Sequence, residues 1–298
     1  MRLKRIELYD DFRSLKKGFT LDFIQNSDAY SKEQAIEPFC IVGKNGSGKS
    51  NVLELLSAIF YQVEVTCLDF LPKELVIRID TVDEEEIEYE EEIELPIFQS
   101  NETNPNAYKL EYYITHKDEE VLVTILKEPN EYRKIYLNND FLNPVDKKDL
   151  QNKELPILPE YVIGYSSGHN EILSLPFFKM RLIQYDEYIS HISYKTTFDV
   201  HESRMVYLDD AFSQAIFITN FIYDDVVVNK VFRETIELET IESFRVIINQ
   251  NVNENIDDKK IFIREQIEHK IELLKKCSTM YFTSNDDFNR LALDFYLD

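Results

Sequence analysis

The chain has 298 residues, of which 44% are hydrophobic and 13% aromatic, enough apolar material for a sizeable core and too much for a disordered polypeptide. Its formal net charge of −23 repels phosphate backbones, so broad nucleic-acid binding across the surface is excluded and DNA is left only a local basic groove. No stretch approaches the roughly 18 consecutive apolar residues of a membrane span, and the opening Met1-Arg2-Leu3-Lys4-Arg5-Ile6-Glu7 lacks the apolar run of a secretion signal, so a cytoplasmic protein without membrane contact is expected.

Alternating apolar and polar residues predict strands over 3–9 and 19–24, with Gly18 at the turn between them. After a polar stretch over 25–37, the compact run Pro38-Phe39-Cys40-Ile41-Val42 predicts a buried parallel strand. A glycine-rich loop follows at once. Val52, Leu55, Leu56, Ile59 and Phe60 then fall at helical spacing, predicting an amphipathic helix to about residue 62.

From 74 to 138 the period changes to two, with strands predicted over 75–79, 108–114, 121–125 and 134–137, an antiparallel β lobe inserted after the helix. Within it, residues 83–92 form a dense acidic run, read as a solvated edge or loop or, alternatively, as a docking surface for a basic partner. Proline-rich 143–159 leads back to the core, and Tyr161-Val162-Ile163-Gly164-Tyr165 reads as a strand resuming the central sheet. Helices are predicted over 211–222 and 261–276, and 291–298 reads as a strand, which raises the expectation of a fragment of a longer protein. Three parts result: 1–73 with the loop, 74–142 as the β lobe, and 143–298 as the remaining core and helices. Cys40, Cys67 and Cys277 lack metal-ligand spacing and read as reduced core or near-core thiols.

Gly43-Lys44-Asn45-Gly46-Ser47-Gly48-Lys49-Ser50 satisfies G-x-x-x-x-G-K-[ST], and three of the chain's six glycines lie in it. Glycines let successive backbone N–H groups face a β-phosphate, and the following helix adds the positive end of its dipole. Lys49 would reach the β- and γ-phosphates, and the Ser50 hydroxyl would ligate Mg²⁺; ATP·Mg²⁺ is the expected ligand. Hydrolysis calls for a Walker B strand ending in Asp-Glu. The nearest candidate is Met205-Val206-Tyr207-Leu208-Asp209-Asp210, with Gln214 and Gln184 as residues that could orient metal or water; surface or loop roles remain open for all four.

Asp11-Phe12-Arg13-Ser14-Leu15 together with residues 43–54 resembles the ABC-type ATPases of the RecF, SMC and OLD branch, which pair an "FRS" segment with "GxNGSGKSN(L/V)LE". The segment Tyr165 to Lys179 is similar to that of restriction-system-associated AAA-family ATPases of bacterial antiphage loci. The resemblance implies an α/β P-loop NTPase fold of the ABC-head kind. It also implies phosphate contacts from residues 44–51, and Arg13 and Asn45 near the γ-phosphate. As partners it implies a homodimer joined through ATPase heads and a defence-system effector. Ser166-Ser167-Gly168-His169 superficially resembles the family signature, but it directly follows a strand and has His where Glu or Gln is expected, so it reads as a turn. The expected function is an ATP-binding ABC-type ATPase whose head dimerisation controls an effector or DNA engagement. The alternative is a non-hydrolysing nucleotide-gated scaffold, while a small-molecule kinase is disfavoured by the long β insert.

Overall fold

The computed structural model describes residues 1–24, 38–68, 76–78, 94–96, 104–116, 119–129, 131, 133–151, 157–167, 171–194, 203–223, 226–249, 261–284 and 290–297. The chain divides into two units, Met1–Tyr188 with Val200–Tyr207, and Ile189–Asp199 with Leu208–Asp298. The acidic run over 83–92 and the polar stretch over 25–37 lie outside the described residues.

In the first unit, β1 (Arg2–Leu8) turns Ile6 and Leu8 into the core and folds back through Gly18, at φ +86°, onto β2 (Thr20–Asp22). Helix α1 (Lys49–Cys67) follows the glycine loop. Two short strands, β3 (Val76–Arg78) and β4 (Glu94–Pro96), pair with each other. Then β5 (Tyr108–His116), β6 (Glu119–Lys127) and β7 (Lys134–Leu137) complete an antiparallel five-stranded sheet in the order β2-β1-β5-β6-β7. Of the strands expected after the helix, those over 108–114, 121–125 and 134–137 thus extend the sheet that β1 begins and form no separate lobe, while the one over 75–79 pairs with β4.

Val52, Leu55 and Ile59 of α1 share one core with Ile6, Leu110 and Ile125 of the sheet. Two buried tyrosines in this core find acceptors, as the chemistry of burial requires. Tyr108 Oη donates to Gln62 Oε1 at 3.1 Å, and Tyr112 Oη donates to the Ile157 carbonyl at 3.1 Å. The helix runs past the expected end near 62 because Val63 and Val65 are buried, and that packing outweighs a β-branched propensity cost of ~0.5 kcal/mol each.

The strand expected over 38–42 does not form: these residues carry no regular structure, and Phe39 and Val42 are 41% and 87% exposed. An apolar run reports a preference for burial, but a strand also needs a partner, and the places beside β1 are taken by β2 and β5. Beyond α2 (Lys147–Gln151) comes β8 (Val162–Tyr165), then α3 (Glu171–Tyr194) and β9 (Met205–Leu208). Among the described residues β8 pairs with β9, Val162 N donating to Arg204 O at 2.7 Å, and does not resume the five-stranded sheet. Cys40 and Cys277 are exposed, contrary to their reading as core thiols; only Cys67 is half-buried, its thiol pushed up to about 11 by burial.

The second unit holds α4 (Asp210–Tyr223), α5 (Val226–Val231) and a π-helical turn over Phe232–Ile236. The Phe232 ring meets those of Phe217 and Phe221 at 5.1 and 5.9 Å. Next come β10 (Ser243–Asn249), α6 (Ile261–Cys277), β11 (Met280–Thr283) and β12 (Arg290–Tyr296), with β12 central in an antiparallel sheet. Among the described residues no helix is long and apolar enough to cross a membrane.

Candidate phosphate-binding site

Residues 43–48 curl immediately before α1. Gly46 and Gly48 have φ of +80° and +89°, a region that side-chain-bearing residues enter only at a cost, and Gly48 is the N-cap of the helix. Ser47 N donates to Lys44 O at 3.2 Å, closing a turn, and Val52 N donates to Gly48 O at 3.1 Å, starting the helix. The Lys49 ammonium donates to the carbonyls of Gly43 and Lys44, each at 2.8 Å. The loop is therefore closed on itself by its own lysine.

Two glycines also stand close to neighbouring side chains, an exposed one at Gly43 and a buried one at Gly48. A Cβ on Gly43 would lie 2.8 Å from Ser47 Oγ, and one on Gly48 would lie 2.9 Å from Leu15 Cδ2 and 3.3 Å from Ser14 Oγ. The second contact shows what stands against the loop. Phe12 and Leu15 exchange backbone hydrogen bonds of 2.9 Å, closing a tight turn with Arg13 at φ +53°. Their side chains are 6% and 5% exposed and anchor the turn in the core, leaving Arg13 and Ser14 at its tip.

Asp11 braces the same turn, accepting from Lys16 Nζ and Lys17 N at 2.8 Å each, which holds its carboxyl below the ordinary carboxylate value. The tip is tied to the first turns of α1 in two places. Asn51 Nδ2 donates to Ser14 Oγ at 2.5 Å, and Arg13 Nε lies 3.5 Å from Glu54 Oε2. Burial raises the Glu54 carboxyl above its ordinary value, and the Arg13 guanidinium opposes that rise.

The structure thus brings together two segments distant in sequence, 12–15 and 43–54. Arg13, expected near a γ-phosphate, is paired with Glu54. Lys44, Asn45, Gly46 and Ser47 are exposed on the loop, and Ser50 is exposed on the first helical turn. Sequence patterning gives Glu54 no role, although a carboxylate one helical turn beyond Ser50 on the inner face of a helix demands a cationic partner. Asp209, Asp210 and Gln214 are exposed and lie in the second unit, Asp210 opening α4 directly after β9. Gln184 is half-buried on α3. Ser166 and Ser167 follow β8 without regular structure, and Gly168 and His169 fall outside the described residues.

An exposed loop with two left-handed glycines, a lysine bonded across it and a helix N-terminus behind it has the donor set and shape for an anionic phosphate chain. Comparisons with protein-family models, curated proteins and solved structures return no match for this chain.

Proposed function

We propose that the chain binds ATP with Mg²⁺ on the loop over 43–51 and works as an ABC-type ATPase head of the RecF, SMC and OLD kind, in a bacterial antiphage or restriction-associated system. The observation that carries this reading is the Lys49 ammonium bonded to the Gly43 and Lys44 carbonyls at the N-terminus of a 19-residue helix. That lysine needs only to exchange two neutral carbonyls for phosphate oxygens, a stronger charge-assisted partner. The Ser50 hydroxyl would hold Mg²⁺, which when bound supplies charge neutralisation of the triphosphate. Asn45, Ser47, Gly48 and Asn51 would shape the cradle, with Arg13 positioned at its rim. Asp209, Asp210 and Gln214 stand as candidates for hydrolysis, and head dimerisation towards an effector as the mode of action.

Equilibrium binding of ATP with and without Mg²⁺, followed by phosphate release and sedimentation with ATP·Mg²⁺, tests the proposal. Saturable, Mg²⁺-dependent binding is expected. Turnover with an ATP-dependent dimer supports the ATPase head, binding with neither supports a non-hydrolysing scaffold, and absence of saturable binding overturns both.

A further inference from the structure

The closest approach of the Arg13 guanidinium to the Glu54 carboxylate is 3.5 Å, from Nε to Oε2. That is longer than the ~2.7–2.9 Å of a charge-assisted hydrogen bond, so the pair is held by charge and not by the fork of a bidentate contact. Its two ends are unequal: the Arg13 side chain is 55% exposed and the Glu54 side chain 8%. Burial raises the Glu54 carboxyl above its ordinary value, and among the described residues Arg13 is the one charge that opposes the rise. A buried carboxylate is costly without its cation, whereas an exposed guanidinium changes partner at little cost.

The backbone that carries Arg13 is fixed independently of its side chain. Phe12 and Leu15 anchor the turn in the core, and Ser14 Oγ accepts from Asn51 Nδ2 on α1. The same Ser14 oxygen stands 3.3 Å from the place a Cβ on Gly48 would take, so the tip of the turn touches the point where the loop ends and α1 begins. Glu54 lies six residues beyond Gly48, ~9 Å along the helix axis, and within ~60° of Asn51 around it. The turn therefore lies along one side of α1, between the helix N-terminus and Glu54.

We infer that Glu54 is a positioning residue for Arg13, holding its guanidinium on α1 in competition with the phosphate chain of ATP and so lowering the affinity for the nucleotide. The inference rests on the reading of residues 43–51 as a triphosphate site. From its fixed backbone the Arg13 side chain serves one of two anions, the Glu54 carboxylate or a phosphate at the helix N-terminus. A phosphate chain carries more charge than one carboxylate and accepts both prongs of the guanidinium, so the exchange runs toward the nucleotide. It leaves the Glu54 carboxylate buried without a cation, and that cost is subtracted from the binding of ATP. Glu54→Gln removes the cost and keeps the shape of the side chain.

Titration of ATP·Mg²⁺ into the wild type, Glu54→Gln, Arg13→Ala and the double variant, with melting temperatures in parallel, tests the inference. Glu54→Gln should tighten binding about fivefold, a sign that damage to the fold does not produce. Glu54→Met, uncharged and of similar length, should tighten it as well. Arg13→Ala should weaken binding. In the Arg13→Ala background Glu54→Gln should change nothing, whereas a carboxylate that merely repelled phosphate through space would still be felt there. Binding by Glu54→Gln and Glu54→Met no tighter than the wild type, or tightened equally with and without Arg13, overturns the inference and leaves the loop assignment standing. Arg13→Ala binding ATP as the wild type does overturns it too. No saturable binding by the wild type overturns the loop assignment and the inference with it.

Discussion

Replacing Gly48 by Ala probes the contact between the glycine loop over 43–48 and the Arg13 turn. Gly48 sits at φ +89°, where a Cβ costs ~1–2 kcal/mol. That Cβ would also lie 2.9 Å from Leu15 Cδ2 and 3.3 Å from Ser14 Oγ. Leu15 is 5% exposed, so its methyl cannot swing into solvent, and overpacking of this kind costs a further ~1–3 kcal/mol. The total is about 2–5 kcal/mol, which for a unit of roughly 200 residues lowers the melting temperature by roughly 4–20 °C. Gly46→Ala is the control: its φ is +80°, but the added methyl would meet no atom within 4 Å, so it should cost only the ~1–2 kcal/mol of backbone strain. Thermal and denaturant unfolding of both variants, with a Leu15→Ala background for Gly48→Ala, gives the coupling directly. In that background the Gly48→Ala cost should shrink to the backbone component, a coupling of ~1–3 kcal/mol. Equal costs at Gly46 and Gly48 with no coupling to Leu15 would refute the packing of the turn on the loop.

Gly164→Ala tests the seat of β8 on α3: the added Cβ would lie 2.7 Å from Phe177 Cζ and 3.0 Å from Tyr207 Cδ2, so a loss of ~1–3 kcal/mol is expected in denaturant unfolding, and an unchanged midpoint would contradict the contact. In the second unit, two hydrogen bonds from Arg245 to Asp294, at 2.5 and 2.9 Å, hold the Asp294 carboxyl below its ordinary value. A depressed folded value means stability that is complete above the unfolded pKa of about 3.9 and lost as pH falls through the folded value. Melting of the β10–β12 sheet should therefore grow more acid-sensitive below about pH 4, and Asp294→Asn should flatten that profile; an unchanged profile would refute the assignment. Ser14→Ala and Asn51→Ala should each cost ~1 kcal/mol and be non-additive when combined, whereas additive losses in a double-mutant cycle would show that the Ser14–Asn51 bond contributes nothing.

The loop and its helix are legible in the sequence because both are local: glycine at positions of positive φ, a lysine within reach of the carbonyls five and six residues back, and apolar residues at helical spacing. The antiparallel strands are legible for the same reason, from their period of two. Long-range pairing is not. Nothing in residues 108–116 announces that they, and not 38–42, lie beside β1. The strand over 162–165 forms where its composition predicts but on another partner, since an apolar run suits β9 as well as a central sheet. The ties from Arg13 to Glu54 and from Ser14 to Asn51 join residues 41 and 37 positions apart, beyond the reach of any periodicity. The buried carboxylate of Glu54 is the one local hint, because a charge on the inner face of a helix requires a partner.

The most direct measurement is calorimetric titration of ATP·Mg²⁺ into the wild type and into Lys49→Ala, with melting temperatures taken in parallel. Lys49 contributes hydrogen bonds to two loop carbonyls at an exposed site, so its removal should leave the fold within ~1–2 kcal/mol of the wild type while weakening ATP binding at least tenfold, about 1.4 kcal/mol. Equal ATP affinity in the two proteins, or no saturable binding by the wild type, would contradict the assignment of the 43–51 loop as a triphosphate site.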